Sequence, residues 1–319
     1  MAVHDHISFE EYAGGVTVID SGFVRENMTA CYLMESGPEA AFIEVGANSS
    51  TPRLMKILEK RGFKPESVTY VIVTHVHLDH AGGAGSLMQL LPNATLLVHP
   101  YAARHMIDPS RLEAGTRMVY GDTLFEKMYG KLIPVPEKRV RIMEDGDEVS
   151  LGERQLRFMD TPGHARHHFC VHDSLTNGWF TGDTFGLSYR IFDTLKGAFL
   201  LPTTTPVQFD PDALRVSVNK LADSRPDYMY LTHYGRVDDV PNLVAKMLEG
   251  IDAFTGIAEQ YTNEDQRTQK IEAAMGEWLR EGLHKHGVTL SDDTCMEWLR
   301  SDIKLNTRGI EIWLDHRDR

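Results

Sequence analysis

The sequence predicts an α/β protein that carries a helical C-terminal extension. Three observations lead there. Short β-branched and aromatic runs alternate with helical patterns as far as residue 231, which reads as strands between helices. Four of those runs end in histidine or aspartate at a turn, and the carboxyl ends of strands are where layered α/β proteins place their sites. From Pro241 onward the strand signals stop and only the helical apolar period remains.

Residues 15–19, 30–34 and 40–45 read as strands, the third closed by Gly46. Ser50-Thr51-Pro52 then opens a helix with a capping hydroxyl and a proline in its first turn. Leu54, Met55, Ile57 and Leu58 form its apolar face, and Gly62 ends it. Residues 68–74 are nearly all apolar, the pattern of a strand buried on both faces. That strand runs into His75-Val76-His77-Leu78-Asp79-His80, which packs three histidines and a carboxylate into six residues. Imidazole and carboxylate suit zinc, iron or manganese. Strand side chains alternate between faces, so the chain after Thr74 must curl for these groups to converge.

A helix is expected over residues 86–91 and a strand over 95–99. Residues 100–135 lack strand alternation and carry Met106, Met118, Tyr120, Phe125, Met128 and Tyr129. They read as helices and loops, either the roof of a pocket or a peripheral insertion. Strands return at 140–143 and again at Leu156 and Phe158, with turns at Asp145-Gly146-Asp147 and Gly152. Thr161-Pro162-Gly163-His164-Ala165-Arg166-His167-His168 repeats the design of strand, turn and histidine.

Residues 169–172 and 179–181 read as a hairpin that delivers Gly182-Asp183-Thr184 at its end. A long loop follows, with Tyr189, Arg190, Phe192 and Thr203-Thr204-Thr205-Pro206. Asp210-Pro211 starts a helix with Leu214, Val218 and Leu221 on one face, and a last strand at 229–231 ends at Thr232-His233. Beyond it, 243–261 and 265–285 read as long helices and 292–299 as a shorter one.

Composition narrows the partners. An apolar share of 42% and a charged share of 25% are ordinary for a globular chain. The net charge of −13 disfavours a nucleic acid or an anionic membrane as partner, because phosphate binding needs basic clusters. The three cysteines, Cys31, Cys170 and Cys295, form no CxxC pair and read as buried thiols in a reducing compartment. Residues 1–6 show no basic region followed by an apolar run, and no stretch of eighteen apolar residues occurs. A cytoplasmic location without membrane association is therefore expected.

Taken together, His-x-His-x-Asp-His, Thr-Pro-Gly-His, Thr-Gly-Asp-Thr and the late Thr-His resemble the motif set of the metallo-β-lactamase-fold hydrolase superfamily, over roughly residues 15–235. The resemblance implies a four-layer αββα sandwich with a metal pair at the edge where its two sheets meet. It places residues 1–240 in the catalytic domain and 241–319 in a helical extension packed on it. Residue by residue, it implies that His75, His77 and His164 hold one metal, that Asp79, His80 and His233 hold the second, and that Asp183 is shared. The implied cofactors are two divalent metal ions, zinc foremost, with iron and manganese suited to the same ligands. Ions about 3.5–4 Å apart share a hydroxide that attacks an acyl or phosphoryl centre. Asp79 is then also the catalytic proton carrier.

Subgroups differ at single positions. Flavodiiron proteins have Glu where His77 stands, and true β-lactamases often use cysteine where Asp183 lies. The tight Thr-Gly-Asp-Thr and the helical tail are more similar to glyoxalase II, related thioesterases and acyl-homoserine lactonases. His167 stands where glyoxalase-like motifs have glycine, and the basic pattern that holds glutathione is not recognisable. Glu44-Val45-Gly46 replaces the commoner Asp-x-Gly and is read as structural. The expected function is a dinuclear metal-dependent hydrolase of a small ester, thioester or lactone. The alternatives are a phosphodiesterase, an iron-dependent oxygenase or other redox enzyme, and a metal-bound sensor with little turnover. His168, Tyr189 and Arg190 are candidate substrate-binding residues, with plain packing as the competing explanation. The expected partner is a small-molecule acyl substrate, and a homodimer through the C-terminal helices stays open.

Overall fold

The structure is a computed structural model that describes residues 7–204 and 206–317. The readings made of residues 1–6 and of Thr205 lie outside the described residues. The chain divides into two units, and the first contains both β-sheets. It comprises the chain up to Asp160 together with His167–Gly182 and Asp227–Arg236.

In this first unit, β1 (Phe9–Tyr12), β2 (Val16–Asp20), β3 (Ala30–Ser36) and β4 (Glu39–Ile43) form an antiparallel run. After α1 (Thr51–Lys60), β5 (Val68–Ile72) adds parallel to β4. The short helices α2 (Leu78–Ala81) and α3 (Ala84–Leu90) lead to β6 (Thr95–Val98). Three further helices, α4 (Pro100–Ile107), α5 (Ser110–Tyr120) and α6 (Asp122–Met128), precede β7 (Val140–Ile142), which closes a seven-stranded sheet in sequence order.

The second sheet holds β8 (Glu148–Leu151), β9 (Arg154–Asp160), β10 (Phe169–Asp173), β11 (Gly178–Gly182), β12 (Tyr228–Leu231) and β13 (Gly235–Val237), again in sequence order. β10 and β11 form the expected antiparallel hairpin, and β12 adds parallel to β11.

Alternation along the central strands explains the layering within this unit. In β4, Ala40 and Phe42 join a core with α1, α3 and α4, while Ala41 and Ile43 join the core shared with the second sheet. β5 does the same with Val71 and Ile72, so the continuous apolar run is a strand buried on both faces. Phe158, Phe169, Phe180 and Tyr230 supply the second sheet's side of that shared core.

The second unit comprises Thr161–Arg166, Asp183–Pro226 and Val237–Arg319. It carries α7 (Pro211–Asp223), α8 (Val240–Gln260), α9 (Arg267–His286) and α10 (Asp292–Arg317). Asp210 caps α7, its Oδ1 accepting from the backbone of Asp212 at 3.1 Å and Ala213 at 3.0 Å. The long helices bury Leu243, Met247 and Ile251, then Ile271, Met275 and Leu279, and Phe254 meets Trp278 edge to face at 5.5 Å.

Two readings need correction. The last helix does not end near Leu299 but runs to Arg317. Its inner face continues through Ile303, Ile310 and Leu314, but Asp302, Asn306 and Thr307 are buried among them and break the apolar period. β1 and β13 are further strands that the sequence did not announce. They are four and three residues long, too short for alternation to declare itself. All three cysteines are buried and free, as expected. Among the described residues no helix is long and apolar enough to cross a membrane.

Candidate metal centre

β5 ends at Ile72, and Val73-Thr74 carry the chain to His75 before it turns into α2, whose first residue is Leu78. His77 stands at the N-cap of α2, so Asp79 and His80 fall in its single turn. The strand therefore does curl into a helical turn, as convergence required. The rings of His75 and His77 lie 4.4 Å apart, and those of His75 and His80 4.1 Å apart. Glycine makes the next turn affordable: a Cβ on Gly82 would stand 2.4 Å from the carbonyl oxygen of Leu78. His233, two residues beyond β12, joins this group, its ring 5.3 Å from that of His80. Ligand atoms of Asp79, His80 and His233 all lie within 4.8 Å of one another.

Hydrogen bonding orients the rings of His75, His80 and His233. His233 Nδ1 lies 2.8 Å from the carbonyl oxygen of Met28, which can only accept, so the proton sits on Nδ1. Nε2 then points to Asp79, 3.4 Å from its Oδ2. His80 repeats the arrangement, with Nδ1 3.1 Å from Glu44 Oε1 and Nε2 3.7 Å from Asp79 Oδ2. The hydroxyl of Thr74 donates to Glu44, leaving its oxygen to accept from His75 Nδ1 at 3.1 Å. Histidines that give one N–H to the protein and turn the other nitrogen to a shared point are groups able to bind metal.

In the second unit His164 and Asp183 form a pair of their own. His164 Nε2 lies 3.3 Å from Asp183 Oδ2, and its Nδ1 faces the carbonyl oxygen of Thr203 at 3.5 Å. Both residues are buried. The turn before His164 is tied to α7: Ser217 Oγ donates to the Pro162 carbonyl at 2.6 Å. Gly163, at φ +132°, lies so close that a Cβ would meet the Leu214 backbone at 2.4 Å. Asp183 follows β11 directly in the chain, and Thr184 donates to the Thr161 carbonyl at 3.3 Å.

Glu44 is the residue whose role the sequence did not reveal. It is buried, sits at φ +60°, and accepts from Thr74, from His80 and from Thr232 Oγ1 at 3.3 Å. A non-glycine residue in that conformation is held there by its surroundings. Threonine precedes both His75 and His233, and in the structure both hydroxyls end on Glu44.

The substrate candidates His168, Tyr189 and Arg190, and the neighbouring His167, are placed by separate contacts. His168 is buried and its ring stacks on that of His75 at 4.9 Å. His167, half-buried, stands 5.7 Å from the ring of His77. Tyr189 is buried, and its hydroxyl donates to the carboxylate of Asp302 at 3.1 Å. Arg190 is half-buried and pairs with Asp193 at 3.3 Å. The 100–135 stretch reaches the metal loop through Phe125, Tyr129 and Leu132, which pack with Phe23 on Ala47 and Leu78. Burial and the nearby charge of Asp79 push the Tyr129 hydroxyl well above the usual phenol range.

With this geometry in view, the family model of the metallo-beta-lactamase superfamily matches residues 24–233, well over half of the chain. The chain belongs to the metallo-beta-lactamase superfamily. Its fold class is accordingly α/β, the metallo-β-lactamase fold with C-terminal helices, as the motifs implied. The fold is shared with the crystal structure of ST1585 from Sulfolobus tokodaii, at a TM-score of 0.66 and 23% identity, covering 94% of this chain and 99% of that one. In sequence, the metallo-beta-lactamase fold-containing protein ST1585 is 28% identical over 176 residues, which is 54% of this chain and 62% of its own length.

The acyl-coenzyme A thioesterase MBLAC2 of Gallus gallus is 31% identical over 116 residues, 35% of this chain and 40% of that protein. A hydroxyacylglutathione hydrolase of Maricaulis maris is 29% identical over 138 residues, 43% of this chain and 42% of that protein. The matched regions thus span less than two thirds of these relatives' lengths. Within the superfamily frame, the histidines and aspartates described above are groups able to bind metal.

Proposed function

We propose that this chain is a dinuclear metal-dependent hydrolase of a small ester, thioester or lactone. The observation that supports it most directly is the matched orientation of His80, His164 and His233. Each has Nδ1 against a carbonyl or carboxylate oxygen and Nε2 towards Asp79 or Asp183. As the superfamily motifs imply, His75, His77 and His164 would hold one divalent ion, Asp79, His80 and His233 the other, with Asp183 shared. Zinc suits these ligands, as do iron and manganese. Among acyl substrates a thioester stands first, because relatives named for acyl-coenzyme A and for hydroxyacylglutathione are similar to this chain.

Divalent ions held there would make hydroxide available near neutral pH and stabilise charge on an acyl oxygen. The chain's own residues do the rest. Asp79, part-exposed at its carboxylate, would accept the proton released when water becomes hydroxide and pass it to the leaving group. Glu44, Thr74 and the Met28 carbonyl hold the imidazoles in one tautomer, so no reorganisation accompanies the reaction. The division into a catalytic part, residues 1–240, and a helical extension, 241–319, belongs to the same proposal.

Elemental analysis of protein made without added metal, paired with a panel of thioesters, lactones, carboxylic esters and phosphodiesters, tests it. Two ions per fully loaded chain and turnover on the acyl members are expected. A single ion, or turnover confined to the phosphodiesters, would replace this function with another.

A further inference from the structure

We infer that Asn306, in the C-terminal helix α10, is a positioning residue that sets the orientation of His164 through the loop at Pro202–Thr204. The inference rests on reading His164 as a metal ligand and extends that reading to a residue far outside the motifs. Asn306 is buried, and a buried amide is costly unless its hydrogen bonds are made. Here they are made, all to one loop. Oδ1 accepts from the backbone of Thr204 at 2.7 Å, and Nδ2 donates to the Pro202 carbonyl at 3.3 Å. The backbone carbonyl of Asn306 accepts from Thr204 Oγ1 at 2.9 Å. Thr203 is therefore clamped on both sides, and its own carbonyl is the group that faces His164 Nδ1 at 3.5 Å.

That carbonyl can only accept, so it keeps a proton on Nδ1 and turns Nε2 towards Asp183. A second tie fixes the other end of the same loop, where the Tyr189 hydroxyl donates to Asp302, one helical turn before Asn306. Leu187 and Leu201 exchange backbone hydrogen bonds at 2.9 and 3.0 Å and close the neck between the two ties. Two of the three buried polar residues that interrupt the apolar face of α10, Asp302 and Asn306, thus bond to this loop. The apolar residues around them would hold the helix without either.

The test compares Asn306→Ala with Ile310→Ala, which removes apolar packing from the next turn of the same helix and touches no loop hydrogen bond. Two readouts are taken. Nitrogen-edited NMR of the imidazoles in metal-free protein reports which nitrogen of His164 carries the proton. Chelator competition on zinc-loaded protein reports the affinity for each ion. Asn306→Ala is expected to spread the His164 proton over both nitrogens and to loosen one ion by about tenfold, the effect of losing an orienting partner. Ile310→Ala is expected to lower Tm and leave both readouts in place. Asn306→Asp keeps the acceptor for Thr204 and should restore most of the tautomer preference; Asn306→Leu, which fills a similar volume without either side-chain hydrogen bond, carries the comparison if the alanine variant does not fold.

Wild-type tautomer and affinities in Asn306→Ala would overturn the inference. So would equal shifts in Asn306→Ala and Ile310→Ala, which would mark a general loosening of the helix. A tautomer that responds to Asn306→Ala in a chain that binds no zinc would uphold the positioning and remove the metal reading instead.

Discussion

His80 donates from Nδ1 to the carboxylate of Glu44 across 3.1 Å, at a point where neither side chain meets solvent. The same carboxylate accepts from Thr74 at the end of β5 and from Thr232 after β12, so one group gathers three chain segments around one imidazole. Its oxygens are occupied by donors, which makes it an orienting group.

Glu44→Gln should therefore weaken metal binding before it weakens the fold. The neutral amide loses the charge that holds the His80 proton on Nδ1 and places N–H groups where Thr74 and Thr232 need an acceptor. Affinity for the ion held by His80 is expected to fall by about tenfold to a hundredfold, while the other ion stays. Stepwise chelator titration reads this directly. Unchanged affinity for both ions would leave Glu44 as a structural residue, the role its sequence context first gave it.

Much of this site was legible in the sequence because the groups able to bind metal follow strand ends. A run such as Val71-Ile72-Val73 announces burial on both faces, and the polar residues after it have only the turn to occupy. Residues such as Glu44 and Asn306 were not legible, because each acts through partners distant in sequence. Glu44 meets Thr232 across 188 positions, and Asn306 meets Thr204 across 102. Asn306 also hid the end of its own helix, since a buried amide looks like a break in the apolar period until its hydrogen-bond partners are known. Local pattern shows where a side chain is buried; it does not show what satisfies it.

His286, at the last turn of α9, should make stability depend on pH. Burial against Phe199 lowers its folded-state pKa below the ordinary value, although Nε2 donates to the Gly197 carbonyl at 3.0 Å. The sign follows from proton counting. Between the unfolded and the folded pKa the unfolded chain binds the proton and the folded chain does not, so stability is lost as pH falls through that window. Above pH about 6.5, the unfolded value for histidine, this loss is absent. Tm measured from pH 7.5 downward should decline, and His286→Gln, which keeps a donor for Gly197 without the titration, should decline less steeply. Parallel curves would show that His286 does not contribute.

The last expectation concerns Asp79. Its Oδ2 faces Nε2 of both His233 and His80, at 3.4 and 3.7 Å, yet the side chain keeps 23% of its exposure where the other groups around it are almost wholly buried. A carboxylate held among ligands but open to solvent is placed to exchange a proton as well as to bind. Asn in its place preserves the shape and one oxygen while removing the charge and the proton acceptor. If the role is proton transfer, the loss falls in the transition state, so kcat should drop by about a hundredfold or more while KM changes little. If the role is only to hold an ion, the loss should be recovered when excess metal restores occupancy. Steady-state kinetics of Asp79→Asn at saturating zinc, with bound metal counted in the same samples, separates the two. Near-wild-type kcat in a fully loaded variant would remove Asp79 from the proton path and leave it as a ligand alone.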